Sequence, residues 1–481
     1  MSRHDSSLLD DWRDAEAHAE AMIPLIGSLY RDRDVITSIQ GRPLMRSSAV
    51  EVVKAHRYAR QVTEHELPIA QARHVLEAVM GLDLDSCRLD LGKLTAGFHA
   101  DGQEEGLDEY LRGALAPALS GSGRLLDEPT DVVLYGFGRI GRLLARILIE
   151  RTGSGQRLRL RAIVLRPGGD GDVEKRASLL RRDSVHGPFS GTIRTDPEKN
   201  QIIANGNAIQ LIYANAPEDV DYTAHGIDNA IVVDNTGIWR DEDGLGRHLQ
   251  AKGAAKVLLT APGKGAIKNI IYGVNDDQIE PGDNVLSAAS CTTNAIVPVL
   301  KVMHDRYEVV TGHMETVHAY TNDQNLTDNF HKKSRRGRSA PLNLVITETG
   351  AATAVAKALP ELAGRLSGNA IRVPTPNVSL AILNLELGQE VDVDELHGYL
   401  RSLSVASNLR DQIDFTTSEE VVSSDLVGND RAGVVDSKAT IVNGNRCVLY
   451  VWYDNEAGYS YQVVRIVQDL AGLRYPVVPV S

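Results

Sequence analysis

Hydrophobic and polar positions divide the chain into a helical first quarter and a longer part in which strands and helices alternate. Met22, Ile26 and Leu29 recur at helical spacing in a segment rich in Ala and Glu, which predicts a helix. Ser47 and Ser48 precede the next apolar series and are of the residue type that caps a helix start. A mainly helical N-terminal extension is therefore expected over residues 1–128.

A third helix is predicted over residues 68–80, because Pro stands at its start and Gly81 follows its end. Residues 120–123 read Ser-Gly-Ser-Gly and lead to Pro129, a composition typical of a linker. The pattern changes beyond this point, so the linker is the predicted boundary of the extension.

Alternating strand and helix signals follow the linker, which is typical of an α/β fold with an open parallel sheet. Residues 131–135 form a short apolar strand, and residues 158–165 form a second one. The intervening helix carries an apolar face that includes Leu143, Leu144 and Ile147.

The sequence between the first strand and its helix is GFGRIG, the context of a dinucleotide-binding loop. Gly136 allows the tight turn, Gly138 lets the backbone approach a pyrophosphate, and Gly141 lets the helix pack on the strand. The helix start offers unpaired N–H groups to anionic oxygens. The alternative interpretation is an ordinary turn between a strand and a helix.

The second strand ends without the acidic residue that would bind a ribose 2′-hydroxyl. Leu165 removes the repulsion that a carboxylate would exert on a 2′-phosphate, and Arg166 is placed to pair with that phosphate. We therefore expect NADP to be accepted alongside NAD. The alternative is that Arg166 is a solvated loop charge.

Composition narrows the class of protein. The net charge of -13 argues against general nucleic-acid binding, and no apolar run is long enough to span a membrane. The acidic start lacks the apolar core of a signal peptide. Three cysteines (Cys87, Cys291 and Cys447) cannot form a disulfide framework, so we expect a reducing, cytoplasmic location.

Cys291 is the candidate nucleophile because the run SCTTN stands directly before an apolar helix. A helix start lowers the pKa of a thiol, and Ser290 and Thr292 are suitable donors to an anion. His318 lies 27 residues downstream in a β-favouring stretch, as 318 − 291 = 27, and a Cys–His pair keeps a thiol reactive. Taken singly, each would more often be a core residue.

Nine sequence runs together resemble the phosphorylating glyceraldehyde-3-phosphate dehydrogenases over about residues 131–473. These runs are GFGRIGR (136–142), RRDSVHG (181–187), DNTG (234–237), APGKG (261–265), SCTTN (290–294), HAYTNDQ (318–324), TETGAA (347–352), RVPTPNVS (372–379) and WYDNEAGYS (452–460). The resemblance implies a Rossmann-type domain over 129–290, completed by a C-terminal helix in 455–481, and an α+β catalytic domain over 291–454.

The resemblance also implies a mechanism. Cys291 attacks glyceraldehyde 3-phosphate to give a hemithioacetal, and His318 takes the hydroxyl proton as hydride leaves for the nicotinamide of NAD or NADP. Inorganic phosphate then cleaves the thioester to give 1,3-bisphosphoglycerate, and the reverse reaction is the gluconeogenic one. No metal is implied.

Two anion sites follow from the same resemblance. The substrate-phosphate site contains Thr321 and Arg372, and the second site contains Ser290, Thr292, Thr349, Gly350 and Arg335. Asn455 is implied to hold the nicotinamide carboxamide, with Tyr459 nearby. The remaining implied cofactor contacts are Phe137, Arg139, Ile140, Thr236, Gly237 and Thr260.

Several positions depart from the family's pattern. Tyr135 replaces the usual Asn before the first glycine, and Asp323 replaces a phosphate-binding Thr found in many members. Ala295 replaces the second Cys, so no nearby thiol can pair with Cys291. Phe330 stands where NAD-specific members often carry Pro, which weakens the case for strict NAD use.

A basic run over residues 331–338 is open to three interpretations: a nucleic-acid patch, a solvated loop, or a loop against a neighbouring subunit. The resemblance favours the third and implies a homotetramer. The extension has no chemical motif, so masking a subunit surface, adding oligomer contacts and binding an unidentified partner stay open. Erythrose-4-phosphate dehydrogenase and a regulatory binding protein on this fold are the alternative functions.

Overall fold

A computed structural model of the chain describes residues 3–63, 66–102, 104, 106–121, 125–126, 128–151, 157–347 and 349–480. Its contacts form two compact units. The first is drawn from residues 1–129, 152–157 and 472–481, and the second from residues 130–151 and 158–471. The predicted linker at 120–123 lies partly outside the described residues.

The first unit packs helices around a small sheet. Its elements are α1 (Arg3–Arg33), β1 (Val35–Ile39), β2 (Arg42–Pro43), α2 (Ala49–Thr63), α3 (Ile69–Met80), β3 (Cys87–Asp90), α4 (Leu91–Gly97) and α5 (Leu107–Ala114). Met22, Ile26 and Leu29 are buried on α1, as their spacing predicts. Ser48 and Glu51 cap α2 reciprocally through their backbone N–H groups.

The strands of this unit were not apparent from hydrophobic periodicity. They form a sheet in the order β2, β1, β3 and the C-terminal strand Val477–Val478. The last strand corrects the expectation that residues 455–481 belong entirely with the dinucleotide-binding domain. Residues 472–480 lie in the first unit because pairing with β3 satisfies backbone groups that an open sheet edge would leave unpaired.

The second unit begins with a nine-stranded sheet. Its elements are β4 (Thr130–Tyr135), α6 (Arg139–Arg151), β5 (Leu158–Leu165), α7 (Asp172–Arg181), β6 (Ile193–Asp196), β7 (Gln201–Ala204), β8 (Asn207–Tyr213), β9 (Ala230–Asp234), α8 (Glu242–Gly246), β10 (Ala254–Leu259), β11 (Lys268–Asn269) and β12 (Val285–Ser287). The strand order is β11-β12-β10-β9-β4-β5-β8-β7-β6, parallel from β11 to β8. β4 and β9 are buried almost throughout, as expected of strands covered on both faces.

An eight-stranded sheet follows. Its elements are α9 (Cys291–Tyr307), β13 (Val309–Ala319), β14 (Val345–Thr347), α10 (Ala351–Ala358), β15 (Leu366–Val373), β16 (Ser379–Leu387), α11 (Val393–Ala406), β17 (Ile413–Thr416), β18 (Gly433–Asp436), β19 (Ile441–Asn443), β20 (Arg446–Tyr453) and α12 (Ala457–Leu470). The order is β14-β15-β13-β16-β20-β18-β17, with β19 paired to β20. Helix α12 packs against α6, the helix that follows β4 of the nine-stranded sheet. The nine-stranded and eight-stranded sheets belong to one compact unit.

Candidate active site

Cys291 is the first residue of α9, and its thiol is partly exposed. The preceding residue, Ser290, is the helix N-cap: its Oγ accepts a hydrogen bond of 3.1 Å from Thr293 N. Tyr459 Oη donates to Ala289 O at 3.0 Å and so fixes the backbone just before the thiol. The nucleophile is therefore held by the helix cap on one side and by a buried tyrosine on the other.

His318 faces the thiol from β13. Its Nε2 lies 3.5 Å from Cys291 Sγ, and its Nδ1 lies 2.7 Å from Ala319 O. Ala319 O can only accept, so we assign the proton to Nδ1, which leaves the lone pair of Nε2 towards the thiol. Arg372 Nη1, which lies 2.8 Å from Nδ1 and can only donate, is then a charge contact of the ring and not a hydrogen bond to it. This geometry suits a general base.

Arg372 stands beside the histidine, at the directly paired position on the parallel strand β15. Its Nη1 lies 2.8 Å from His318 Nδ1 and donates to Ala319 O at 3.0 Å and to Thr321 Oγ1 at 3.4 Å. Its Nε is buried and has no hydrogen-bond partner among the described residues. A buried guanidinium N–H without a partner is a ready donor to a substrate anion.

Burial, and after it the positive charge of Arg372, lower the pKa of His318 to about 3. Burial also raises the pKa of the Cys291 thiol, although Arg372 and hydrogen bonds from Thr292 oppose this. The sequence predicted a lowered thiol pKa from the helix start. That prediction is corrected because desolvation of the sulfur outweighs the favourable charges, so a neutral thiol faces a neutral imidazole.

The predicted substrate-phosphate residue Thr321 lies next to Arg372, but its hydroxyl is hydrogen-bonded to Asp323. Asp323 also forms an ion pair with Arg336, whose Nε donates to Thr347 Oγ1 at 3.3 Å. The predicted Arg335 is exposed instead. The structure thus turns Arg336, its neighbour, toward the site, because the backbone of the short helix Ser334–Gly337 points the two side chains in different directions.

The other residues of the predicted second anion site lie at two helix starts. Thr292 is buried, and its hydroxyl lies 3.0 Å from Tyr453 Oη. Thr349 Oγ1 accepts from Ala351 N at 3.2 Å, and Gly350 caps α10, which packs against α9. In the described part of the chain, no hydrogen bond joins Thr349 or Gly350 to Cys291.

The three glycines of the loop after β4 differ in why a side chain is absent at each position. Gly136 has φ +97°, a conformation that side chains rarely adopt. A Cβ on Gly141 would approach Gly136 O to 2.5 Å, so helix and strand packing requires glycine there. A Cβ on Gly138 would meet no atom within 4 Å. Protein packing does not require that third glycine, whereas close approach by a ligand would.

Three predicted loop residues are engaged with the protein. Arg139 pairs with Glu456 and with Asp183, and the hydrogen bond to Glu456 raises the pKa of the guanidinium. Phe137 is buried and Ile140 is half-buried. Arg139 therefore joins the loop to the start of α12 in this structure.

A cavity of about 370 Å³ opens beside this loop at the carboxyl ends of β4, β5 and β9. Arg166 and Arg176 both line it, and so do Phe137, Gly138 and Thr236. Asp170 and Asp172, the acidic residues that follow β5, do not line the cavity, and Asp172 forms an ion pair of 3.2 Å with Arg176. The region after β5 therefore presents two guanidinium groups to the cavity.

On the opposite side of the cavity, the lining residue Thr236 is held by the buried carboxylate of Asp234. Asp234 Oδ1 accepts from Thr236 N and Oγ1, each at 2.7 Å, and its Oδ2 lies 3.1 Å from His248 Nε2. Gly237 then turns the chain with φ +61°, and Thr260 Oγ1 donates to Asp234 O at 3.0 Å. Asp234 thus holds two of the predicted cofactor-cleft residues, Thr236 and Thr260, in place.

Asn455 stands just before α12, and its amide has a fixed orientation. Asn455 Oδ1 accepts a hydrogen bond of 2.8 Å from Ser379 Oγ, and Ser379 Oγ accepts in turn from Ala319 N at 3.1 Å. The Nδ2 amino group of Asn455 is consequently the donor that faces away from Ser379. This links the predicted nicotinamide contact to the strand that carries His318.

Comparison with known proteins agrees with this geometry. The profile described as "Glyceraldehyde 3-phosphate dehydrogenase, NAD binding domain" matches residues 130–242, and that described as "Glyceraldehyde 3-phosphate dehydrogenase, C-terminal domain" matches residues 290–455. A "Glyceraldehyde-3-phosphate dehydrogenase" of Zymomonas mobilis is 37% identical over 342 residues, 71% of this chain and 98% of that protein. The chain belongs to the glyceraldehyde-3-phosphate dehydrogenase family.

Members of the family differ from this chain in length. A "Glyceraldehyde-3-phosphate dehydrogenase A, chloroplastic" of Zea mays is 39% identical over 74% of this chain and 86% of that protein. A "Glyceraldehyde-3-phosphate dehydrogenase-like protein" of Pseudomonas aeruginosa is 59% identical over 460 residues, 95% of this chain and all of that protein. That relative therefore shares most of the N-terminal extension with this chain.

The sequence did not single out three residues of the candidate site. The sequence prediction named Arg335 instead of its neighbour Arg336. Ser379 lies in a matching run, but the sequence did not show that it contacts Asn455. Arg176 lies on α7, the helix after β5, and not at the end of β5, where a ribose contact is expected. In the second unit, the described residues include no cluster of His, Cys, Asp or Glu arranged to hold a metal. Among the helices described, none is both long and apolar enough to cross a bilayer.

Proposed function

We propose that this member of the family is an NAD(P)-dependent phosphorylating glyceraldehyde-3-phosphate dehydrogenase. The observation that carries the proposal is the trio formed by Cys291, His318 and Arg372. A nucleophile and a base lie 3.5 Å apart, next to a buried guanidinium N–H that has no partner among the described residues. This arrangement supports attack on an aldehyde that carries a phosphate.

In the proposed reaction, Cys291 Sγ attacks the aldehyde carbon while Nε2 of His318 takes the thiol proton and passes it to the carbonyl oxygen. Nε2 then removes the hydroxyl proton from the hemithioacetal. A nicotinamide held by Asn455 would supply the hydride acceptor for this step. Phosphate attacks the resulting thioester, and Cys291 leaves as the thiol after recovering a proton from His318.

The anion contacts are proposed from charge and exposure. Arg372 and Thr321 would hold the phosphate of the substrate, and Arg336 would contribute a second guanidinium to this region. Ser290, Thr292, Thr349 and Gly350 stay the proposed residues for the attacking phosphate. Asp323 balances part of the positive charge until an anion binds.

The residues present fit a nicotinamide dinucleotide. The open space in front of Gly138 suits a pyrophosphate, and Asn455 presents an oriented amide donor. Arg166 and Arg176 in the cavity support acceptance of NADP, because guanidinium groups recognise phosphate. We propose that NADP is used at least as readily as NAD.

A matrix of rates tests the proposed function: glyceraldehyde 3-phosphate or erythrose 4-phosphate, NAD or NADP, and phosphate present or absent, in both directions. The expected result is a phosphate-dependent rate with glyceraldehyde 3-phosphate. A rate indifferent to phosphate contradicts it, and faster turnover of erythrose 4-phosphate assigns the alternative dehydrogenase activity. Cys291→Ser should abolish oxidation and retain cofactor binding, whereas Cys447→Ala at a buried thiol should retain both.

We also propose a homotetramer in a reducing, cytoplasmic compartment. The segment around the basic run exposes large apolar side chains, including Leu326 (75% exposed), Phe330 (91%) and Leu342 (82%), which suits contact with a second copy of the chain. The three cysteines are free, which supports a reducing compartment. Sedimentation of the full chain and of Phe330→Asp tests the assembly, because the variant should dissociate.

A further inference from the structure

The N-terminal extension contains a cavity of about 670 Å³, formed by one face of α1, one face of α2 and the segment that enters α3. This volume lies within the roughly 300–1,000 Å³ typical of small-molecule sites. None of its lining residues lies in the ranges that match the family, 130–242 and 290–455. The cavity is therefore separate from the dehydrogenase chemistry proposed above.

His56 lines this cavity and carries a buried polar atom that has no partner among the described residues. His56 is 4% exposed, and its Nδ1 donates to Val52 O of its own helix at 2.8 Å. The opposite ring atom, Nε2, has no hydrogen-bond partner among the residues described. Burial lowers the pKa of His56, so the ring is neutral and Nε2 is an acceptor. A donor from a ligand would satisfy it.

The remaining lining groups define the rest of the ligand. Arg57 lies over the Trp12 ring, with its guanidinium carbon 5.4 Å from the ring centroid. Arg60 is paired with Glu66 at 3.2 Å, whereas no described carboxylate forms an ion pair with Arg57. Val53 is buried in the wall, and Leu67 is half-buried. The exposed carboxylate of Asp11 also lines the cavity, which thus combines a flat apolar wall, one available cation, one acceptor and this carboxylate.

We propose that this cavity binds a small amphipathic anion. An N–H or O–H group of the ligand donates to His56 Nε2, its flat apolar body packs against Trp12 and Val53, and its anionic group pairs with Arg57. A carboxylate, phosphate or sulfonate satisfies the last requirement equally. The convergence of a buried acceptor and a cation in a largely apolar pocket is the pattern of a specific small-molecule site.

Anilinonaphthalene sulfonate is a suitable probe, since it carries an N–H donor, flat aromatic rings and an anion. Calorimetric titration of the full chain, with NADP saturating the nucleotide cleft, should show one dye site in the extension. Ala15→Phe fills the cavity from α1 and should weaken binding at least tenfold. The matched control Ala17→Phe, at an exposed position of α1 outside the lining, should change affinity less than twofold.

Two further variants test the polar contacts without filling the cavity. His56→Leu should weaken the dye about three- to tenfold, as expected for one lost hydrogen bond. Arg57→Gln should weaken it by a similar factor, and Arg57→Lys should restore part of the loss. Equal affinities for Ala15→Phe and Ala17→Phe would place the dye elsewhere and overturn the proposal. No binding to the unaltered chain, or no effect of His56→Leu and Arg57→Gln, would overturn it too, even if Ala15→Phe fails to fold.

Discussion

Arg372 Nη1 lies 2.8 Å from Nδ1 of His318, and the two residues are paired directly across the parallel strands β15 and β13. The proposed base is therefore held beside a permanent positive charge, which favours its neutral form. The same guanidinium is the proposed anchor of the substrate phosphate. An anion bound there would offset the charge that the imidazole experiences.

Replacing Arg372 should raise the pKa of the proposed base, His318. In Arg372→Gln the pKa of His318 should rise by roughly one to three units, because a neighbouring cation is removed while burial persists. Titration of imidazole resonances in histidine-labelled protein measures the shift. Arg338→Gln, at an exposed residue paired with Asp328, is the control and should leave that resonance unchanged. An unshifted pKa in Arg372→Gln would show that burial alone keeps His318 neutral.

The buried imidazole should also make the protein less stable in acid. The folded-state pKa of His318 is about 3, below the ordinary 6.5, so only the unfolded chain gains its proton between these values. Stability then falls as the pH drops through this window, by about 2 kcal/mol between pH 6.5 and 5. Between pH 6.5 and 5, the free energy of unfolding measured in urea should fall by about that much less in His318→Gln than in the unaltered chain. His74→Gln on α3, an exposed position, should match the unaltered chain.

Arg336 and Arg335 offer a matched pair. Arg336 has a side chain 15% exposed and contacts Asp323, whereas Arg335 is exposed. Arg336→Gln should lower kcat/KM for the aldehyde phosphate about tenfold or more, the usual effect of losing a charged hydrogen bond. Arg335→Gln should lower it less than twofold. The reverse order of effects would restore the assignment made from the sequence.

Ser379 is proposed to position Asn455. Ser379→Ala removes the donor to Asn455 Oδ1 and frees the amide to rotate, so KM for the cofactor should rise about two- to tenfold. Titration of cofactor binding and initial rates will show whether KM rises more than kcat falls. Ser367→Ala on β15 is the control. A fall in thermal stability with unchanged KM would make the role of Ser379 purely structural.

Arg166 should affect the binding of NADP and not that of NAD. Arg166→Asp should raise KM for NADP about tenfold or more and change KM for NAD less than twofold, since only NADP carries a 2′-phosphate. Arg194→Asp, an exposed residue of β6 outside the cavity, should affect neither. Equal losses for both cofactors would refute the ribose-phosphate role.

Local sequence predicted much of the element pattern. The strand over 158–165 is observed with these bounds, the strand over 131–135 begins one residue earlier, and the helix over 68–80 begins after Pro68. These elements are apolar runs or periodic segments. β1 and β3 were not predicted, because VITSI and CRLD mix polar and apolar residues over four or five positions and show neither an apolar run nor a period.

The sequence by itself determined the family, the glycine loop, and the pairing of a cysteine with a histidine, because each is written as residue types at fixed spacing. Only the tertiary structure decided which of two adjacent arginines turns inward, that Ser379 orients Asn455, and that burial outweighs the helix start at Cys291. Those outcomes depend on side-chain direction and desolvation, which are set by segments far apart in the chain. The cavity around His56 is of the same kind, since three elements create it and none of them shows it alone.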